Sequence, residues 1–269
     1  MANKKILCIK GGLGNQLFEY CRYQQLTDAG YKVFIHYDRQ QLNVHGGTLL
    51  DECFDVQLPP ISIPTMVITL LLKGIRKTGL FSQLFDEDHP KCLLIDDYSQ
   101  DLRYISKALS LLPFRNNIRQ KVDSIWLRNI ENSPCSVAVH VRRGDYLHPI
   151  NAPNFGICPE EYYKNAIKFI RQCHPEAELF FFSDDINYCR NHLKFDNSNY
   201  VEHKENIPDW SDLYLMTRCH HHIIANSTFS FWGAFLSRQA DCINIYPRRW
   251  FANAEWTTPN IFPKEWITM

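Results

Sequence analysis

The sequence predicts an α/β fold built from two open parallel sheets, and three observations carry that prediction. Short apolar, β-rich runs alternate with helix-periodic segments in both halves of the chain. The first such run leads through a glycine-rich turn, Gly11-Gly12-Leu13-Gly14, into a helical pattern. The conspicuous polar and charged clusters fall just after strands, where open parallel sheets bind ligands.

Taken in order, residues 6–10 read as the first strand, about 15–28 as a helix with Gly30 as its stop, and 32–36 as the second strand. From 40 to 100 the pattern weakens, and Gly46-Gly47, Pro59-Pro60 and Asp86-Glu87-Asp88 mark loops. Residues 61–72 are strongly apolar, broken by Pro64 and Thr69 and followed by Lys73, Arg76 and Lys77. They are too few for the ~20 that a bilayer span needs. The stretch reads as a buried helix, the alternative being a peripheral membrane contact through an apolar face with a basic end. A strand at 92–95 and a long helix at 115–130 lead to Ser133-Pro134, which sets a boundary between an N-terminal domain, 1–133, and a C-terminal domain, 134–269, whose tail is free to pack back on the first.

The second half gives strands at 136–141, 179–183, 199–202, 222–225 and 242–246. Tyr163, Ala166, Ile167, Ile170 and Cys173 recur at helical spacing behind Pro159. Asp209 or Ser211 can cap a second helix, and Ser227 or Thr228 a third that runs to Ser237.

Composition narrows the function. The 269 residues are 45% hydrophobic and 22% charged, which excludes wholesale disorder. With 29 basic and 29 acidic side chains there is no electrostatic reason to expect a nucleic-acid partner, so a polyanionic ligand must be held by a few local cations. Ten cysteines without a CxxC pair read as reduced, mostly buried thiols of a cytoplasmic protein, and no secretory signal is recognisable behind the basic start.

The run His140-Val-Arg-Arg-Gly-Asp-Tyr146 follows the strand at 136–141. Arg142 and Arg143 offer permanently charged, bidentate donors suited to a diphosphate, and Gly144 permits a sharp turn; the alternative is a surface pair bridged to carboxylates. After 179–183 come Ser183, Asp184 and Asp185, which can accept from ribose hydroxyls or a base N–H, or cap a helix. After 222–225 come Asn226, Ser227, Thr228 and Ser230, which either cap a helix or help its N-terminus present amides to a phosphate. In the first turn Gly12 and Gly14 fill two positions of GxGxxG, but Leu17 stands at the third, and Asp38 follows the second strand where a ribose-binding acid would sit. This is weak evidence for NAD, although close approach of a ligand to Gly12, Gly14, Asn15 and Gln16 stays open. Consecutive His220, His221 and His222 point in divergent directions, and neither Asp96-Asp97 nor Asp184-Asp185 has DxD spacing, so no metal and no other cofactor is expected.

Together these segments resemble glycosyltransferase family 11, the α-1,2-fucosyltransferases: GGLGNQLFEY at 11–20, HVRRGDY at 140–146, FFSDD at 181–185, DLYLMTRCHHHIIANSTFSFWGAFL at 212–236, then YPRRWF and PKEW. The resemblance implies a GT-B architecture of two Rossmann-like domains facing across a cleft, the C-terminal one holding the nucleotide and the N-terminal one the acceptor. It implies GDP-fucose as donor, a galactose-terminated oligosaccharide as acceptor, and metal-independent inverting transfer to the galactose 2-hydroxyl in O-antigen or glycan biosynthesis. Arg142 carries over as the leading diphosphate ligand, with Gly12, Gly14, Asn15, Gln16, His140, Arg143, Ser183, Asp184, Asp185, Asn226, Ser227, Thr228 and Ser230 as donor-pocket residues. Phe231 departs from the tryptophan frequent there but keeps an aromatic. Asp145 and His140 are the candidates for general base, and either could instead orient the arginines. The rival readings are a catalytically silent GDP-sugar or glycan binder on the same scaffold and an NAD-dependent oxidoreductase. The expected location is cytoplasmic, with a peripheral contact at the inner face of a membrane as the variant.

Overall fold

The structure is a computed structural model describing residues 4–87, 89–203 and 206–269; the first three residues of the basic start, and Asp88 of the acidic loop, lie outside the described residues. The chain divides into two units, Met1–Arg115 and Asn116–Met269. The division falls earlier than the expected boundary because the helix predicted over 115–130 is two, Ile118–Lys121 and Ser124–Asn132. The Asp123 carboxylate accepts from the Ile125 amide at 2.9 Å and starts the second of them. That helix packs on the helix Ser211–Arg218, which assigns the connector to the second unit.

The first unit has a parallel sheet of β1 (Lys4–Ile9), β2 (Lys32–Tyr37) and β3 (Leu94–Ile95) in the order β2-β1-β3. The two faces of β1 serve different helices. Leu7 and Ile9 meet Leu26 of the helix Leu13–Asp28, whereas Ile6 and Cys8 meet Leu72 and Ile75 of the helix Ile63–Lys77. The latter helix is not the buried one expected: only Thr65, Thr69 and Leu72 are buried, and its most apolar side chains face outward.

The second unit has a six-stranded parallel sheet: β4 (Ser136–Val141), β5 (Glu178–Ser183), β6 (Ser198–Tyr200), β7 (His221–Ile223), β8 (Asn244–Tyr246) and β9 (Ile267–Thr268), in the order β6-β5-β4-β7-β8-β9. Every residue of β4 is buried, as a central strand covered on both faces must be. Val137, Val139 and Val141 pack with Tyr163, Ala166, Ile167 and Ile170 of the helix Glu160–Cys173. The unpredicted β9 pairs with β8, so the tail completes its own unit's sheet. Strand order reverses between β4 and β7, because β5 and β6 lie on one side of β4 and the later strands on the other. That switch point is where such a sheet opens a crevice for a ligand.

All ten cysteines are free and eight of them are buried. The helix Ser211–Arg218 starts from Trp210 without a side-chain cap, so neither Asp209 nor Ser211 has the capping role expected of it.

Candidate active site

Three loops gather at the switch point. The register Val141↔Ser183 brings the turn after β4 beside the one after β5, and the Tyr146 hydroxyl ties the former to the loop after β7 by donating to the Asn226 carbonyl at 3.1 Å. Arg142 is held as a fork, its Nη2 2.6 Å from Asp145 Oδ1 and its Nη1 3.0 Å from Asp184 Oδ2. Those contacts use two of the five guanidinium N–H groups and leave three. Arg143 pairs through Nε with Asp185 at 3.0 Å and lies over the Tyr188 ring at 3.5 Å. Asp184 Oδ1 also accepts the Arg143 amide at 2.9 Å. Gly144 makes this possible, since a Cβ there would stand 2.5 Å from Asp184 Oδ2.

Of the two readings of the post-β5 acids, the structure shows the capping one at Asp185. Asp185 caps the helix Ile186–His192 by accepting the Tyr188 amide at 3.1 Å, and this bond together with Arg143 holds its carboxyl below the usual range. Ser183 Oγ accepts the Asp185 amide at 3.0 Å. Two guanidiniums and three carboxylates leave the cluster one negative charge in excess. It is therefore no general anion sink, and it suits a ligand combining phosphates with N–H and O–H donors.

His140, at the end of β4, is buried with its ring centroid 6.1 Å from that of Phe229. Burial, aided by Arg142, lowers its pKa to about 3, so the ring is neutral, and its Nδ1 has no hydrogen-bond partner among the described residues. Asn226 is spent on scaffolding: its amide donates to the carbonyls of Phe155 (3.1 Å), Gly156 (3.3 Å) and Trp250 (3.0 Å). Ser230 is fully buried and donates back to Ser227 O at 3.1 Å. Ser227 is the N-cap residue of the helix Thr228–Phe235 but makes no side-chain cap bond, and the first intrahelical bond runs from Phe231 N to Ser227 O at 3.0 Å. The dipole's positive end thus opens at the same switch point.

The glycine-turn residues lie in the other unit. Gly11 has φ of +73°, and Gln16 is fully buried. The Gln16 amide donates to the carbonyls of Gly11 (2.9 Å) and Gly47 (3.0 Å), and its oxygen accepts the Leu49 amide at 3.0 Å. Gly14 is buried too, and Asn15 accepts from Gln100 at 3.1 Å. Asp38 caps the helix Arg39–Val44 and pairs with Lys73 at 3.1 Å. The turn is flanked by Asp96, whose carboxylate meets Lys10 at 3.0 Å and Lys73 at 3.4 Å. Burial opposes ionisation of Asp96, but the two ammonium groups outweigh it and hold its pKa below the usual range. Beyond β2 an open cavity of about 550 Å³ is lined by Tyr37, Arg39, Asn43, Thr48, Asp51 and Pro59, among others.

The three histidines are strand stitches. His220 Nδ1 accepts the Ser136 amide at 3.1 Å, His221 Nδ1 accepts the Ile243 amide at 3.1 Å, and His222 Nε2 donates to Met216 O at 2.8 Å. Among the described residues one metal-like trio exists, Cys135, His174 and His221, with ligand atoms within 4.8 Å of one another. The bond from Ile243 occupies the lone pair of His221 Nδ1 and leaves the proton on Nε2, and burial pushes the Cys135 thiol up to about 11. These three residues suit hydrogen bonding at the sheet's N-terminal edge better than metal ligation.

Sequence reasoning missed Tyr188, the platform under Arg143, and the Lys10–Asp96 pair. Asp96 directly follows β3, so the post-strand rule that singled out Asp184 would have found it too. Tyr188 carried no such signal.

A model of Glycosyl transferase family 11 matches residues 100–269. An alpha-1,2-colitosyltransferase of Escherichia coli is 28% identical over 96% of this chain and 96% of its own length. A galactoside alpha-(1,2)-fucosyltransferase 1 of Leontopithecus chrysomelas is 28% identical over 49% of this chain and 38% of its own. Among solved structures, the fucosyltransferase NodZ from Bradyrhizobium aligns with a TM-score of 0.55 at 13% identity, covering 88% of this chain and 93% of that one. At that identity the likeness shows the fold, which is of the GT-B type.

Proposed function

The chain belongs to glycosyltransferase family 11, and from that premise we propose that it moves L-fucose from GDP-β-L-fucose to the 2-hydroxyl of a terminal β-galactose, with inversion and without a metal. The observation that carries the proposal is the Arg142 fork, held between Asp145 and Asp184 at the switch point of the second sheet. As the sugar leaves, negative charge grows on the β-phosphate. The three N–H groups left on Arg142 and the N-terminus of the helix Thr228–Phe235 are preorganised donors for that charge. Guanine and ribose supply the N–H and O–H donors that the surplus carboxylates can accept. Asp145 serves as general base: Asp184 and Asp185 are anchored by backbone amides, while the Asp145 carboxylate is held by the Arg142 side chain, from which it can swing to an acceptor hydroxyl. The first unit's cavity, with an aromatic and several polar side chains, has room for a galactoside.

The full-length likeness to a colitosyltransferase supports a second donor, GDP-colitose, the 3-deoxy counterpart of GDP-fucose. A site built to bond the 3-hydroxyl rejects the deoxy sugar by about 10⁴-fold or more, whereas an apolar wall there discriminates far less. The test is GDP release from each donor with lactose and other β-galactosides, with and without EDTA. Release from GDP-fucose that needs a galactoside and survives EDTA is the expected result. Release that EDTA abolishes, or that no galactoside stimulates, overturns the reading.

A further inference from the structure

The helix Ile63–Lys77 is built inside out. Toward the sheet it turns Thr65, Thr69 and Leu72, and the Thr69 hydroxyl satisfies itself on the Thr65 carbonyl at 2.8 Å. Toward solvent it turns Ile63, Met66, Val67, Ile68, Leu70 and Leu71, with Leu70 58% and Leu71 64% exposed. The apolar surface continues past both ends, through Ile61 before the helix and Leu80 and Phe81 after it. Phe81 is 61% exposed and sits at φ of +55°, a left-handed backbone that a bulky residue rarely adopts. Isolated apolar side chains on a surface need no explanation, but nine gathered along one helix and its flanks do.

The charge pattern indicates what covers them. Between residues 56 and 85 the sequence has no acidic residue, and its cations are Lys73, Arg76 and Lys77. Lys73 is spent on Asp38 and Asp96, and Arg76 reaches Asp96 only at 3.9 Å, so Arg76 and Lys77 stay exposed at the helix's C-terminal end. Arg76 also lines a cavity of about 200 Å³ with Leu80, Ser82, Phe85 and Asp86, beside the apolar face. Exposure at adjacent positions, Met66-Val67-Ile68 and Leu70-Leu71, makes an arc broader than the narrow seam two paired helices share. A broad aliphatic arc, an aromatic at its end and a helix whose own charged residues are all cations match a bilayer interface with anionic headgroups.

We propose that the outward face of the helix Ile63–Lys77, with Ile61, Leu80 and Phe81, docks this protein on a membrane surface carrying anionic lipid, with the apolar arc at the acyl boundary and Arg76 and Lys77 among the phosphates. This goes beyond the proposed transfer reaction and is read without it. The full chain is sedimented with vesicles of phosphatidylcholine alone or mixed with phosphatidylglycerol. It pellets with the mixed vesicles and is partly released by salt. Leu70→Glu with Leu71→Glu abolishes pelleting while circular dichroism is unchanged. Lys77→Gln weakens binding to the mixed vesicles about fivefold and leaves binding to neutral ones as it was. If the double variant loses its helical signal, Leu71→Gln alone carries the test with a smaller drop. The proposal is overturned if the folded wild type stays in the supernatant, if the variants pellet like wild type, or if the wild type is a dimer in solution that the double variant dissociates.

Discussion

The C-terminal ends of the two sheets both gather cations, yet they are equipped for different tasks. In the first unit Lys10 and Lys73 are consumed internally. They converge on Asp96 and Asp38, and Lys10 also donates to the Asp96 carbonyl at 2.7 Å. In the second unit Arg142 and Arg143 are also paired with carboxylates, but a guanidinium bound by two acids still has donors to offer, and the acids fix its plane. A binding site is therefore recognised by the donors left over after internal pairing, and a count of cations would not separate these two ends. The same contrast appears at the glycines: Gly11 serves a left-handed turn, whereas Gly144 makes room for Asp184.

The largest effect that would break this contrast is at Arg142. Arg142→Lys replaces a planar fork by a point charge that cannot face Asp145, Asp184 and a phosphate at once. We expect kcat to fall about 10²–10³-fold with melting temperature nearly unchanged. Lys10→Arg in the first unit should affect stability before turnover. Near-normal kcat in Arg142→Lys would mean that surplus donors are not what the second sheet end supplies.

Acid should separate the units next. Burial lowers the pKa of His140 to about 3 and that of His221 and His222 to about 4, all in the second unit. An unfolded chain protonates these rings near pH 6.5 and the folded unit does not. Their contribution is whole above that pH, drains as pH falls, and for His222 amounts to a loss on the order of 3 kcal/mol by pH 4. In the first unit His36 is also lowered by burial and by Lys73, but Asp96, held low by Lys10 and Lys73, keeps its stabilising pairing down to pH 4 and loses it only below. Hydrogen exchange at pH 7, 5 and 4 should show the second unit's sheet opening first; the first unit opening earlier would reverse the assignment.

What the sequence made legible follows the same division. The strand at 136–141 and the helix behind Pro159 are legible because burial on both faces of one leaves a continuous apolar run and burial of a single stripe of the other leaves a periodic trace. β9 is two residues long and leaves none. The run 61–72 showed its apolarity but not its direction, since a helix with threonines inside and leucines outside has the composition of a buried one. The helix expected over 115–130 failed at Asp123, whose capping role outweighed the apolar spacing across it. In the site, residue types announced the arginines and aspartates, while the commitment of Asn226 and Gln16 to carbonyls of distant loops is long-range and has no local signature.

The two glycines give the finest cut between fold and function. At Gly144 an added Cβ meets only the end of the Asp184 side chain, which can yield by loosening its bond from the Arg143 amide, so Gly144→Ala should still fold, with a small loss of stability. The movement takes Asp184 off Arg142, and misplacing a preorganised donor by a fraction of an ångström should cost about tenfold in kcat. At Gly11 the Cβ would stand 2.8 Å from Asn15 Nδ2 and 3.3 Å from the Tyr98 ring, and the left-handed backbone adds about 1–2 kcal/mol for any L side chain. Gly11→Ala should therefore lower the melting temperature while leaving kcat per folded molecule close to wild type. If instead Gly11→Ala spares stability and raises KM for the nucleotide sugar, the glycine turn touches the donor directly, and the line drawn between the two sheet ends has to move.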